Sequence, residues 1–146
     1  MEKTTLNAIY QNIVRLFDKA KISFQSWDHE SIIDFETDAR IAEALGWTAE
    51  PTKSLFLKLK DGRHLIFLTH RDHRMDSKKI KQLLNSRPSM CRNEQIETTL
   101  GCVPGAVSPF GHSDNILLVI DRQLLTYNEL MFTPGHPELT FAFAAH

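Results

Sequence analysis

The stretch KSLFLKLKDGRHLIFLTH, residues 53–70, decides how this chain folds. Two runs rich in Leu, Ile and Phe, KSLFLKLK (53–60) and RHLIFLTH (63–70), flank Asp61-Gly62. Asp-Gly between β-rich runs is the signature of a two-residue type I′ hairpin, whose central positions both need positive φ. An antiparallel pair is therefore expected at the centre of the chain, with the other elements arranged around it. Lys53 opens an otherwise apolar strand, and alternation places either Lys53 or Ser54 inward.

Upstream, Leu6, Ile9, Tyr10, Ile13, Leu16 and Phe17 recur at helical spacing, which predicts an amphipathic helix over 5–20. ISFQSW (22–27) alternates as a strand. DARIAEALG reads as a second helix, with Thr37 as N-cap and Gly46 just past its end. Downstream, Asp76 caps DSKKIKQLLN, whose Ile80, Leu83 and Leu84 mark a buried side. NEQIETTL is a short helix capped by Asn93 and ended by Gly101. NILLVID is a strongly apolar, buried strand, TYNELMF (126–132) a weaker one, and LTFAFAA a closing strand. The pattern is a single α+β domain over 1–146, a curved, mostly antiparallel or mixed sheet surrounded by helices.

Between the short helix and NILLVID runs GCVPGAVSPFG (101–111), holding five of the chain's twelve glycines and prolines and no charge. A solvated linker would be more polar, and a strand would not tolerate so many breakers. Gly105 and Gly111 permit positive φ or close approach of a ligand, while Pro104 and Pro109 stiffen the segment. Such a loop either presents backbone N–H groups to a ligand carbonyl or oxyanion, or simply forms a buried turn.

Composition narrows the class. The chain has 146 residues, 42% hydrophobic and 24% charged, as in soluble globular proteins. Its longest apolar run, ILLVI, is too short to cross a bilayer, and MEKTTLNAIYQN lacks the apolar core of a secretory signal. Cys91 and Cys102 could pair, but two free thiols in a reducing cytoplasm fit better. The net charge of −1 argues against a dedicated nucleic-acid binder, yet Lys53–Lys81 holds nine Lys/Arg against three Asp. That asymmetry would let one face hold a polyanion, or would merely solvate a hairpin and a helix.

Three conventional chemistries find little support. His70 and His73, with Asp72 or Asp76, have a metal-like spacing, but neighbouring cations disfavour a metal there. Ser108 with His112 or His136 and Asp114 or Asp121 could be drawn as a triad, yet Ser108 precedes proline rather than lying in a G-x-S-x-G turn. Cys102 has no cationic flanks to lower its thiol pKa.

Taken in order, several pieces resemble the YbaK/prolyl-tRNA synthetase-associated editing-domain family, which deacylates mischarged tRNA. They are PTKSLFLK with its hairpin, GAVSPFG (105–111), LLVID ending at Asp121, and TPGHPELTF. The similarity spans nearly the whole chain from about residue 5. It implies a mixed α/β fold with a curved sheet and hydrolysis of an aminoacyl ester at the tRNA 3′ end, with no metal or other cofactor.

By position, Lys53 resembles the family's essential lysine, expected to orient the terminal adenosine and stabilise charge at the ester. Gly105, the other expected catalytic position, resembles the glycine whose loop contacts the aminoacyl group or attacking water. Ser54, Ala106, Val107, Ser108, Pro109, Gly111, Asp121, Thr133, Gly135 and His136 would form the substrate pocket, Ser54 at a position bearing on which amino acid is accepted. Lys58, Arg71, Arg74, Lys78 and Lys79 would hold the acceptor end. Some members have histidine at the Thr133 position, asparagine at Pro137 and glycine at Ala106, and these departures leave the subfamily and its substrate open.

The resulting expectation is metal-free trans-editing of tRNA carrying Ala, Ser, Thr or Cys. A synthetase is a second candidate partner, and neither a membrane nor DNA is expected. The alternatives are a non-catalytic module that binds aminoacyl-adenosine, tRNA or a synthetase, and a small-molecule hydrolase.

Overall fold

In the computed structural model, residues 3–30, 35–46, 48–104, 106–113, 115–134 and 138–144 are described. They run α1 (Lys3–Lys19), β1 (Phe24–Asp28), α2 (Phe35–Leu45), β2 (Glu50–Leu59), β3 (His64–His70), α3 (Ser77–Leu84), β4 (Pro88–Met90), α4 (Asn93–Gln95), β5 (Ile116–Ile120), β6 (Glu129–Phe132) and β7 (Leu139–Ala144). The seven strands form one mixed sheet in the order β1-β7-β6-β2-β3-β5, with β4 also on β2. The α+β class expected from the sequence is the one observed. Pairing is antiparallel except for β2 with β6 and β3 with β5.

The central hairpin forms with a different turn. Leu59 N–H donates to Arg63 C=O and Gly62 N–H to Leu59 C=O. Only Gly62 has positive φ, +98°, while Asp61 does not. This is a three-residue loop ending in a glycine bulge, not the type I′ turn expected. Asp61 instead braces the turn, accepting from Arg63 N–H and Nε.

Strand alternation divides the core. Phe56 and Ile66 face one side of β2–β3, where Ile9, Ile13 and Phe17 of α1 bury them together with Phe132 and Phe141 from β6 and β7. One helix thus packs against strands on both sides of β2. On the reverse face, Leu57, Leu59, Leu65 and Phe67 pack under Ile80 of α3. Asp76 caps α3 as expected, accepting from Lys78 and Lys79 N–H.

Four local expectations are corrected. Thr37 lies inside α2, which starts at Phe35. Arg92, not Asn93, holds the cap position of α4, its N–H donating to the Gln95 side chain. Leu83 is 68% exposed, because α3 presents Ile80 and Leu84 inward. β5 is an edge strand rather than a buried one: Leu117 and Val119 pack beneath, while Leu118 and Ile120 face solvent. No helix among the described residues is long and apolar enough to cross a membrane.

Candidate active site

The site begins as a break in the sheet. On the edge of β2 away from β3, β6 pairs at Glu50 and Pro51, and β4 at Leu57–Leu59. Thr52 Oγ1 donates to Met131 C=O at 2.7 Å and Cys91 N–H to Phe56 C=O at 3.0 Å, closing each side. Between them, no described residue pairs with Lys53–Leu55 on that edge.

The pleat fixes which backbone groups face this opening. Leu59 N–H bonds Arg63 C=O and Arg71 N–H bonds Pro51 C=O, so odd-numbered residues of β2 bond β3. Even-numbered residues face the other edge, as Lys60 N–H on Arg87 C=O and the Phe56 carbonyl under Cys91 confirm. Ser54 therefore points both its N–H and its C=O into the break.

The side chains divide as well. Ser54 pairs with Leu68 and shares the α1 side of the sheet with Phe56. Lys53 pairs with Thr69 on the α3 side, where Leu55 and Phe67 continue the row. Both Lys53 and Ser54 are half-buried. Alternation thus resolves the question left open by the sequence: each of the two lines a different side of one opening.

Thr69 is fully buried and donates its hydroxyl to Asp121 Oδ2 at 2.7 Å. Asp121 follows β5 and accepts from Gln123 N–H with Oδ1, capping the turn after it. Burial works to raise the Asp121 pKa, but hydrogen bonds from Thr69 and Gln123 and the nearby His73 outweigh it and hold the carboxyl below its ordinary value. His73 Nδ1 lies 3.8 Å from Asp121 Oδ2, buried and without a hydrogen-bond partner. Its ring leans on His70, whose other neighbour is Tyr127. His70 Nδ1 accepts from Asp72 N–H, and Nε2 lies 3.4 Å from Glu50, so the pair is knitted into the β3 terminus. Sequence reasoning overlooked Thr69 and the role of His73.

The 101–111 loop closes the α1 side. Cys102 and Val107 join Phe56 and Cys91 from one side of the break and Phe132 from the other in a single cluster. Ala106 and Ser108 are completely buried, and Pro109 is buried too. Gly111 has φ +90°, and its carbonyl accepts from Asn12 of α1. The loop spends two of its own donors: Ala106 N–H on Val103 C=O and Phe110 N–H on Ser108 Oγ. Gly105, Gly135 and His136 lie outside the described residues. Thr133 is half-buried beyond β6.

Among the described residues, which exclude Asp114 as well as His136, neither nucleophile reading gains a geometry. Ser108 Oγ donates to Phe110 C=O, while His112 Nε2 donates to the Ser108 carbonyl rather than meeting its hydroxyl. Burial pushes the Cys102 thiol up to about 11, despite the Ser108 contact, so it is protonated at neutral pH. Cys91 and Cys102 are both buried and unpaired.

Of the basic residues, Arg74, Lys78 and Lys79 are exposed on the turn after β3 and on α3, the side Lys53 faces. Arg71 is half-buried beside Asp72 at 3.6 Å. Lys58 stands apart: it pairs with His64 and Ser89 beside Cys91. It is five residues along β2 from Lys53, about 17 Å.

An aminoacyl-tRNA editing domain model matches residues 35–145, and the chain belongs to that family. Among curated proteins it is similar to the multifunctional Ser/Thr-tRNA deacylase ProXp-y of Escherichia coli, strains K12 and O157:H7. Each is 26% identical over 132 residues, covering 86% of this chain and 77% of the relative. Among solved structures it is similar to hypothetical protein APE2540, with TM-score 0.80 and 20% identity over 92% of this chain and 89% of that one. It is also similar to a candidate trans-editing enzyme for prolyl-tRNA synthetase, with TM-score 0.70 and 21% identity over 92% and 85%. These structural likenesses carry the fold.

Proposed function

We propose that this protein is a cytoplasmic aminoacyl-tRNA deacylase that hydrolyses the ester of a small, wrongly attached amino acid. The observation that carries the reading is the break in β2, where a half-buried lysine and a closely packed, glycine-punctuated loop flank one opening. Membership of the editing family and the likeness to a Ser/Thr-tRNA deacylase support it.

An aminoacyl ester is already activated, so positioning and charge stabilisation suffice, and neither a covalent nucleophile nor a metal is required. Lys53 supplies the cation near the ester, and water attacks the carbonyl carbon. The water's proton passes by way of the substrate's neighbouring ribose hydroxyl or free amine to the departing ribose oxygen, which leaves as a hydroxyl. Ser54, Ala106, Val107, Ser108, Pro109, Gly111 and Thr133, with Gly105, Gly135 and His136, form the pocket, which Asp121 braces through Thr69. The tight packing of Ala106, Val107 and Ser108 favours Ala, Ser, Thr or Cys and excludes larger side chains, a steric sieve. Arg71, Arg74, Lys78 and Lys79 hold the acceptor stem, with Lys58 as an outlying contact, and a synthetase is a further candidate partner.

The test is release of amino acid from a panel of Ala-, Ser-, Thr- and Cys-charged tRNAs. Turnover of one or more supports the proposal. Binding without turnover on every member would replace the enzyme with a binding module. Equal turnover of free aminoacyl esters would remove tRNA from the account.

A further inference from the structure

We propose that Ser54 binds the aminoacyl group through its main chain, as though that group were one residue of a missing strand. The inference rests on the deacylase reading and adds the atoms that grip the substrate. Ser54 directs an N–H donor and a C=O acceptor into the break between β6 and β4, and neither has a hydrogen-bond partner among the described residues. In an antiparallel ladder, two facing residues of this kind exchange both bonds. An esterified amino acid carries the matching pair, its α-amino donor and its carbonyl acceptor, on one Cα at the same spacing. The Ser54 carbonyl accepts from the α-amino group, and the Ser54 N–H donates to the ester carbonyl.

Two consequences follow from the same geometry. The Ser54 N–H is aimed where negative charge develops on the ester carbonyl oxygen, a task that the committed N–H groups of Ala106 and Phe110 cannot share. Facing residues of a ladder also place their side chains on the same side of the sheet. An L-aminoacyl side chain therefore enters on the Ser54 side, toward Val107 and Phe132. The D-enantiomer, held by the same two bonds, would direct its side chain toward Lys53 and Thr69.

The decisive variant replaces residue 54 with the α-hydroxy acid bearing the serine side chain, so that its N–H is lost and the Lys53 carbonyl becomes a weaker acceptor toward Thr69. The expected result is a fall in kcat for L-alanyl-tRNA of tenfold or more, with a smaller drop in thermal midpoint than at a position whose N–H is itself bonded. The same replacement at Leu55, whose N–H belongs to the β3 ladder, should lower the midpoint. Unchanged kcat, or a loss of stability at residue 54 equal to that at Leu55, overturns the inference while leaving deacylation standing. Should no charged tRNA be turned over, the readout is the Ser54 amide resonance. It is followed on adding adenosine whose 3′-hydroxyl is replaced by an alanyl amide. A downfield shift at Ser54 supports the contact independently of catalysis, and an unmoved Ser54 signal under saturation refutes it.

Discussion

Thr69 donates its hydroxyl to Asp121 at 2.7 Å from the position directly opposite Lys53. A cation, a buried hydroxyl and a carboxylate thus occupy one level of the sheet, at the end of a face that is otherwise Leu, Ile and Phe. The hydroxyl satisfies the carboxylate.

Lys53→Ala is expected to lower kcat/KM for deacylation by ~100–1000-fold, about 3–4 kcal/mol of barrier, with the thermal midpoint unchanged. Single-turnover kinetics beside a melting curve check both halves. A variant that keeps near-wild-type turnover removes Lys53 from the mechanism.

Asp121→Asn should change how stability depends on pH. The folded-state pKa of Asp121 lies below its ordinary value, so the carboxylate's contribution is fully present above the unfolded value of about 3.9. It is lost as pH falls from there through the depressed folded value. Wild type should therefore be the more stable protein at neutral pH, and the gap should close in strong acid. Thr69→Val, which leaves the carboxylate without its donor, should cost about 1.5 kcal/mol at neutral pH. Urea titrations across the acid range measure both.

Gly111→Ala should destabilise on the order of 2–3 kcal/mol, since φ is positive there and strain adds to a clash. A Cβ would lie 2.7 Å from the Ile9 carbonyl oxygen of α1. Melting temperature reports the loss, and Gly111→Ala should fall well below Gly46→Ala, which meets nothing within 4 Å.

Binding of the acceptor end should weaken steeply with salt. The double variant Lys78→Ala/Lys79→Ala should reduce the slope of log K against log salt by up to about two, because each neutralised phosphate contributes ~0.7–0.9. Fluorescence anisotropy over a salt series is the measurement, and an unaltered slope would move the stem elsewhere on the protein.

The central hairpin was legible because Asp61-Gly62 interrupts two β-rich runs, and the family resemblance was carried by ordered motifs around it. Register was not legible. A two-residue loop would pair Lys60 with Arg63 and, counting along, Lys53 with His70. The actual loop closes at Leu59 and Arg63, which brings Thr69 opposite Lys53. One residue of turn length thus concealed the Thr69–Asp121 pair. The exposure of Leu118 and Ile120 was equally hidden, since an apolar run reads alike at the edge and the centre of a sheet. The break at Ser54 depends on where two distant strands stop, which no local pattern records.

The two sides of that break come from distant parts of the chain. β4 follows the hairpin closely, whereas β6 joins Glu50 only through Leu130, and β1 waits for Phe143 of β7 to meet Phe24. During synthesis the hairpin and α3 leave the ribosome while one wall of the opening is still unmade. Non-local parallel pairing of this kind is slow to form. The opening is therefore completed only once β6 and β7 have been made and have folded back onto β2.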